Sequence, residues 1–340
     1  MEWQPATRHT EMKSTGLEMK TKQQLAGIIP PLATPLLDAD QVDVHGTARL
    51  VEHVIAGGVH GIFILGTTGE GTSLTQGLRH QFVELVSEIV AGRVPLLVGV
   101  TDTSMVDALE LAEQSYAAGA AAVVTAAPYY LPMSQADLLR YTEELATRLP
   151  LPALLYNMPS CTKTEFSIET IQRLSQHPNI IGLKDTSGDL EYYAQAAEIA
   201  NRIDDFTLLI GPEEKLARSL ELGGHGGVSG GANFFPRLYV ELYNAAAQGE
   251  PGRASELQQL ILEVSKAIYG VSDSGARVLQ GVKTALAELG ICSHIVAPPF
   301  RTYDEAERLL IRNALARLTP LVESACDLPS RPLPSTAAGS

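Results

Sequence analysis

Short, almost continuously apolar runs alternate with longer amphipathic stretches over most of the chain. The runs at 27–33, 61–65, 95–100, 121–126, 153–156, 180–183, 207–210 and 226–229 carry little polar interruption, the pattern of strands buried on both faces. The stretches between them keep helical spacing. In TQGLRHQFVELVSEIVAG, Leu78, Phe82, Leu85, Val86 and Ile89 recur three and four positions apart and mark one face of a helix. SMVDALELAEQSYAAGA and SQADLLRYTEELATRL repeat the pattern, and each opens on a serine that can cap the first turn.

Eight such strand–helix units in succession imply parallel strands joined by crossover helices. The predicted fold is therefore α/β, a (β/α)8 TIM barrel. An open doubly wound sheet is the competing arrangement, but it carries a Gly-rich dinucleotide loop after its first strand. Here the first run ends in PPLATP, with no G-x-G-x-x-G. After a last barrel helix near 233–248, three helical stretches at 251–269, 274–289 and 303–322 form a C-terminal helical appendage. The expected organisation is a flexible polar arm at 1–24, the barrel at 25–248, a three-helix region at 249–323 and a disordered, Pro/Ser-rich tail at 324–340.

Composition narrows the setting. With 45% hydrophobic and 19% charged residues the chain has ample core. Its formal charge of −14 argues against nucleic acid or an anionic membrane surface as partner. No apolar stretch approaches membrane-spanning length, and the N-terminus lacks a signal peptide's apolar core. Cys161, Cys292 and Cys326 make neither a disulfide framework nor a zinc motif, so a reducing, cytoplasmic setting is expected. The histidines contain no H-E-x-x-H pair, and no metal is expected.

In a (β/α)8 barrel the working face lies at the C-terminal ends of the strands. There the chain delivers GTTGEGTS (66–73), APYYLP (127–132), YNMPSCTK (156–163), KDTSGD (184–189), GPEE (211–214) and SGGAN (229–233). Polar groups collect at one end, and Lys184 is among them. Burial disfavours an ammonium, and a neutral amine attacks a ketone to form a Schiff base, an electron sink for breaking or making the neighbouring C–C bond. A strand-end lysine also reads as one that snorkels to solvent or pairs with Asp185 or Asp189. Tyr156 ends the preceding run, so its phenol can sit beside Lys184 and shuttle protons; the alternative is a core tyrosine with a satisfied hydroxyl. GTTGEG offers successive backbone N–H groups and the hydroxyls of Thr67 and Thr68, an arrangement suited to a carboxylate, or an ordinary tight glycine turn.

A second motif competes. Gly227-Val228-Ser229-Gly230-Gly231 matches the G-x-S-x-G nucleophile elbow, and Asp273 and His294 follow in hydrolase order. A serine hydrolase through Ser229 would need further strands downstream, where only helical patterns occur. Glycines that allow close approach at a barrel mouth are the plainer account.

GTTGEG, PYY, YNMP, GLKDTSGD and GGHGGVSGGAN, in this order and on these strands, resemble the dihydrodipicolinate synthase/N-acetylneuraminate lyase family over about 25–322. The resemblance implies a class I lyase acting on pyruvate or another 2-keto acid, usually a homotetramer, with a covalent imine through Lys184 and no separate cofactor. By motif position, Tyr156 is the proton-transfer phenol, and Thr67 and Thr68 bind the keto acid's carboxylate and complete the relay. Tyr130 takes the position of a tyrosine that reaches a neighbouring subunit's site. Gly211 and Val228 match pocket-lining backbone, and Thr186 joins the substrate-binding set beside Lys184.

Departures from the family pattern bear on substrate. Dihydrodipicolinate synthases usually read Y-N-x-P-x-R-T-G after the fifth strand; here Cys161 replaces the arginine that grips the aldehyde's carboxylate, and Lys163 replaces the glycine. A thiol supplies no bidentate, charge-assisted contact. Glu213 and Glu214 lie where sialic acid lyases carry an acidic pair toward a polyhydroxy chain, or they simply open the next helix. The expected reaction is reversible aldol cleavage of a 2-keto-3-deoxy sugar acid or sialic-acid-like substrate to pyruvate and an aldehyde. Dihydrodipicolinate synthesis or dehydration through the same imine is the alternative, and a catalytically silent sugar-acid-binding homologue a further one. The expected assembly is a homotetramer or dimer.

Overall fold

The computed structural model describes residues 25–329, so the arm expected at 1–24 and the tail from 330 onward lie outside it. In chain order the strands are β1 (Gly27–Ile28), β2 (Leu36–Asp38), β3 (Gln41–Val42), β4 (Ile62–Ile64), β5 (Leu96–Gly99), β6 (Ala122–Ala126), β7 (Ala153–Asn157), β8 (Ile180–Asp185), β9 (Thr207–Ile210) and β10 (Gly226–Gly227). Eight of them form one parallel sheet in the order β1-β10-β9-β8-β7-β6-β5-β4. The residues after β1 close it. Phe63 N–H donates to the Pro30 carbonyl (3.0 Å) and Leu32 N–H to the Phe63 carbonyl (2.8 Å), with Pro31 and Phe63 in a parallel bridge. On the other edge of the same segment the Asn233 side chain ties it to the eighth unit, donating to the Pro31 carbonyl (3.0 Å) and accepting from Ala33 N–H (2.9 Å).

The helices are α1 (Val44–Ala56), α2 (Gln76–Val90), α3 (Met105–Ala117), α4 (Gln135–Arg148), α5 (Pro159–Thr162), α6 (Ile168–Leu174), α7 (Leu190–Ala200), α8 (Leu216–Glu221), α9 (Pro236–Ala247), α10 (Pro251–Tyr269), α11 (Arg277–Glu288) and α12 (Glu305–Ala325). The apolar faces expected of α2, α3 and α4 are the buried ones, and Thr75, Ser104 and Ser134 accept from the backbone N–H three residues on. Among the described residues, no helix is long and apolar enough to cross a membrane.

Side chains alternate across each strand. Phe63, Leu97, Val124, Leu154, Tyr156, Leu209 and Val228 pack together inside the barrel. Ile62, Val98, Val123, Leu155, Leu183, Leu208 and Ile210 face the helices in a separate core. This two-sided burial is why the strands read as unbroken apolar runs.

Three details depart from the pattern. β8 extends two residues past the expected end, so Lys184 and Asp185 lie within the strand. A two-stranded hairpin, β2–β3, interrupts the first strand–helix connection. Helix α12 runs to Ala325, into the stretch expected as tail, because Val322 and Cys326 bury their side chains.

Candidate active site

Lys184 is an inward position of the barrel. It pairs in register with Tyr156 on β7 and with Leu209 on β9, both on the inner face. Only 5% of Lys184 is exposed. Its Nζ lies over the Tyr156 ring, 3.5 Å from the centroid, and 5.7 Å from that of Phe63. The two ring faces give the amine an apolar, electron-rich seat. The adjacent carboxylates are engaged elsewhere. Asp185 points to the opposite face, where it accepts from the Asn157 side chain (2.9 Å), the Ser187 N–H (3.1 Å) and the Ser187 hydroxyl (3.0 Å). Burial raises its pKa against those hydrogen bonds. Asp189 caps α7. Neither carboxylate makes a hydrogen bond to the lysine.

Tyr156 links the lysine to the turn after β4. Its hydroxyl and that of Thr67 are 3.1 Å apart, close enough to pass a proton. Thr68 follows in the same turn, half-buried. The turn folds back tightly: Gly71 N–H donates to the Gly66 carbonyl (3.2 Å), and a Cβ at Gly71 would come within 2.1 Å of the Leu65 oxygen. A cavity of about 170 Å³ opens beside these groups, lined by Phe63, Thr67, Tyr129, Tyr156, Met158 and Cys161 among others. Both rings that flank Nζ line it. Its size suits a small acid.

Other expected site residues lie at the same mouth in different ways. Gly211 N–H donates to the Asp185 carbonyl (2.7 Å) and Val228 N–H to the Ile210 carbonyl (2.8 Å), so both stand at strand ends bordering the barrel interior. A Cβ at Gly211 would meet the Thr186 hydroxyl at 2.1 Å, and that buried hydroxyl has no hydrogen-bond partner. Cys161 is exposed in the short helix α5 and borders the cavity. Lys163 is exposed with φ of +58°, a left-handed conformation that suits glycine.

The Glu213–Glu214 pair does not face the cavity as a sugar-gripping pair would. Glu213 is 3% exposed, accepting from Gly231 N–H (2.8 Å) and the Tyr239 hydroxyl (2.7 Å). Burial, with the nearby Glu214 charge, pushes its pKa up to about 7. Glu214 hydrogen-bonds Ser265 of α10. Both carboxylates are turned toward α9 and α10, because the turn at Glu213–Lys215 packs under those helices.

Tyr130 projects away from its own chain, 77% exposed with φ of +86°. Its neighbour Tyr129 lines the cavity instead, and burial together with Asp102 raises its pKa. Phe63 and Tyr129 are site residues that sequence reasoning missed. Nothing marked Phe63 within an apolar run, whereas the PYY motif already contained Tyr129.

The structure disperses the hydrolase constellation. Ser229 is fully buried and its hydroxyl has no partner. Asp273 is exposed before α11, and His294 sits in the field of Arg308, Glu288, Glu305 and Lys283. No strand follows β10 among the described residues. Nor do three His, Cys, Asp or Glu side chains gather there as a metal-holding group.

Comparison with known proteins agrees with this geometry. The dihydrodipicolinate synthetase family model matches residues 24–318. A 4-hydroxy-tetrahydrodipicolinate synthase of Phenylobacterium zucineum is 33% identical over 85% of this chain and 96% of its own length. A dihydrodipicolinate synthase structure from Bacteroides thetaiotaomicron is 48% identical, with a TM-score of 0.84 over 86% of this chain and 98% of its own. YagE of Escherichia coli K12, provisionally named a 2-dehydro-3-deoxy-D-gluconate aldolase, has been solved in complex with pyruvate; that structure is 31% identical, with a TM-score of 0.83 over 87% of this chain and 99% of its own. The chain belongs to the dihydrodipicolinate synthetase family and is an enzyme of its lyase–aldolase class.

Proposed function

We propose that Lys184 holds pyruvate, or another 2-keto acid, as a covalent imine, with no separate cofactor. The observation that carries this reading is the line from the buried Lys184 Nζ, over the buried Tyr156 ring, to the Thr67 hydroxyl at the open end of the barrel. The amine, once it has given up its proton, adds to the C2 ketone, and the carbinolamine loses its hydroxyl as water, with Tyr156 supplying the proton. In the cleavage direction, Tyr156 takes the proton of the C4 hydroxyl as the C3–C4 bond breaks. The bond's electron pair enters the iminium to give an enamine, and the aldehyde departs. Protonation at C3 and hydrolysis of the imine then release pyruvate and regenerate the lysine. Thr67 and Thr68 offer hydroxyls and backbone N–H groups to the keto acid's carboxylate, and Thr67 completes the proton relay.

The substrate best suited to this mouth is a 2-keto-3-deoxy sugar acid or a sialic-acid-like acid, cleaved reversibly to pyruvate and an aldehyde. Support comes from Cys161, which borders the cavity where a guanidinium would grip a second carboxylate. The similarity to YagE agrees. Condensation of pyruvate with aspartate semialdehyde is the second reading, favoured by the names of the synthase relatives. The same reading makes the protein a cytoplasmic homo-oligomer, a tetramer or dimer, with Tyr130 reaching a neighbouring site.

Incubation with pyruvate and borohydride tests the chemistry. A pyruvate-derived mass increase on the peptide carrying Lys184, absent from Lys184→Ala, is the expected result. No adduct, or equal trapping by the variant, sinks the imine. Turnover assays on 2-keto-3-deoxy acids and aspartate semialdehyde then choose between cleavage and condensation, and an adduct without turnover of any of them favours a silent binder.

A further inference from the structure

The turn that carries Thr67 is held from outside the barrel. Glu70, three residues along, is 3% exposed and adopts a left-handed φ of +59°. Its N–H donates to the Thr67 carbonyl (3.1 Å). One carboxylate oxygen accepts from Ala297 N–H (2.6 Å), and the other is ion-paired with Lys283 of α11. Lys283 is fully buried and also donates to the Ile295 carbonyl (2.5 Å). The Thr34 hydroxyl, donating to the Gly69 carbonyl (2.7 Å), braces the turn from the other side.

A buried pair of this kind is a poor source of stability. Taking both ions out of water is expensive, and an apolar pair of similar volume often serves as well. Geometry is what it supplies. A left-handed non-glycine residue persists where its surroundings over-determine it, and here Ala297 and Lys283 hold that residue's carboxylate while its N–H holds Thr67.

We propose that Glu70 and Lys283 are positioning residues, anchoring the Thr67 turn to helix α11 so that the Thr67 hydroxyl stays on Tyr156. The proposal rests on the imine reading for its catalytic consequence, though not for its structural one. Misplacement of a catalytic group by about 1 Å can cost on the order of 100-fold. The double variant E70Q/K283M removes both charges and leaves no buried ion unpaired.

The test compares pyruvate–borohydride trapping in the native chain, E70Q/K283M, T67V and the triple variant, alongside amide hydrogen exchange over 66–73. Slower trapping by E70Q/K283M, about 10- to 100-fold, is expected, with the triple variant no slower than T67V and faster exchange confined to the turn. A double-mutant cycle of this form separates action through Thr67 from general loosening. Native-like trapping by E70Q/K283M, effects that multiply with T67V, or unchanged exchange at 66–73 overturns the proposal. If E70Q/K283M does not fold, E70D, which keeps both charges and retracts the carboxylate by one methylene, is judged by the same criteria. A native chain that forms no adduct sinks the imine reading instead, and exchange over 66–73 alone then decides whether the pair positions the turn.

Discussion

At the scale of single residues, chemistry and specificity are separable. Lys184 and Tyr156 are held by the strand register itself, so their meeting follows from pairing β7 with β8. Cys161 is not so constrained, being exposed on a four-residue helix. Replacement there is therefore expected to change substrate preference more than folding. Cys161→Arg places a guanidinium at the cavity rim, and a hydrogen bond to a charged group contributes about 1.5–3 kcal/mol. The expected outcome is a KM for aspartate semialdehyde lowered about tenfold or more, with pyruvate trapping unchanged. Steady-state kinetics on both substrates checks it, and an unaltered KM would separate Cys161 from the aldehyde site. The lysine was legible as a candidate because an apolar run delivered a charged residue. Its neighbour Phe63 was not, since an inward-facing phenylalanine and an ordinary core one read alike.

At the scale of elements, the eight strands were legible because burial on both faces leaves no polar interruption. The hairpin β2–β3 was not, since its strands are only three and two residues long and LLDADQV reads as a loop. The placement of Glu213 was also beyond reach, because it depends on where α9 and α10 pack. That packing has a consequence for pH. Tyr239, Tyr269 and Glu214 surround the Glu213 carboxyl, and its pKa of about 7 compares with 4.5 for a free glutamate. The folded chain thus holds a proton that the unfolded chain releases between those values. The contribution is complete below pH 4.5 and lost as pH rises through 7, about 3 kcal/mol in all. Glu213→Gln, neutral throughout, should flatten this part of the profile. Urea denaturation of both forms at pH 5 and pH 8 measures the difference, and parallel profiles would contradict it.

At the scale of the whole molecule, the exposed apolar residues at the barrel mouth bear on assembly. Tyr130 and Leu131 are 77% and 70% exposed on one loop. Covered by a neighbouring copy, each would bury apolar surface worth about 1.5–3 kcal/mol. The double variant Tyr130→Ser with Leu131→Ser is expected to shift sedimentation toward smaller species and to lower kcat; an unchanged sedimentation profile would remove this loop from the interface. The closing line of the barrel carries a different lesson. On the edge facing β4 the backbone of residues 30 and 32 bonds Phe63, and on the opposite edge the amide of Asn233 takes up the carbonyl of Pro31 and the N–H of Ala33. That opposite edge faces β10, so the residue that completes the joint between the first and eighth units lies some two hundred positions further along the chain. The chain at β1 is therefore bonded on both edges only once the eighth unit is in place. Early and late parts of the barrel are tied into one cooperative event, with the loop-closure entropy of nearly the whole barrel spent before that bond can form.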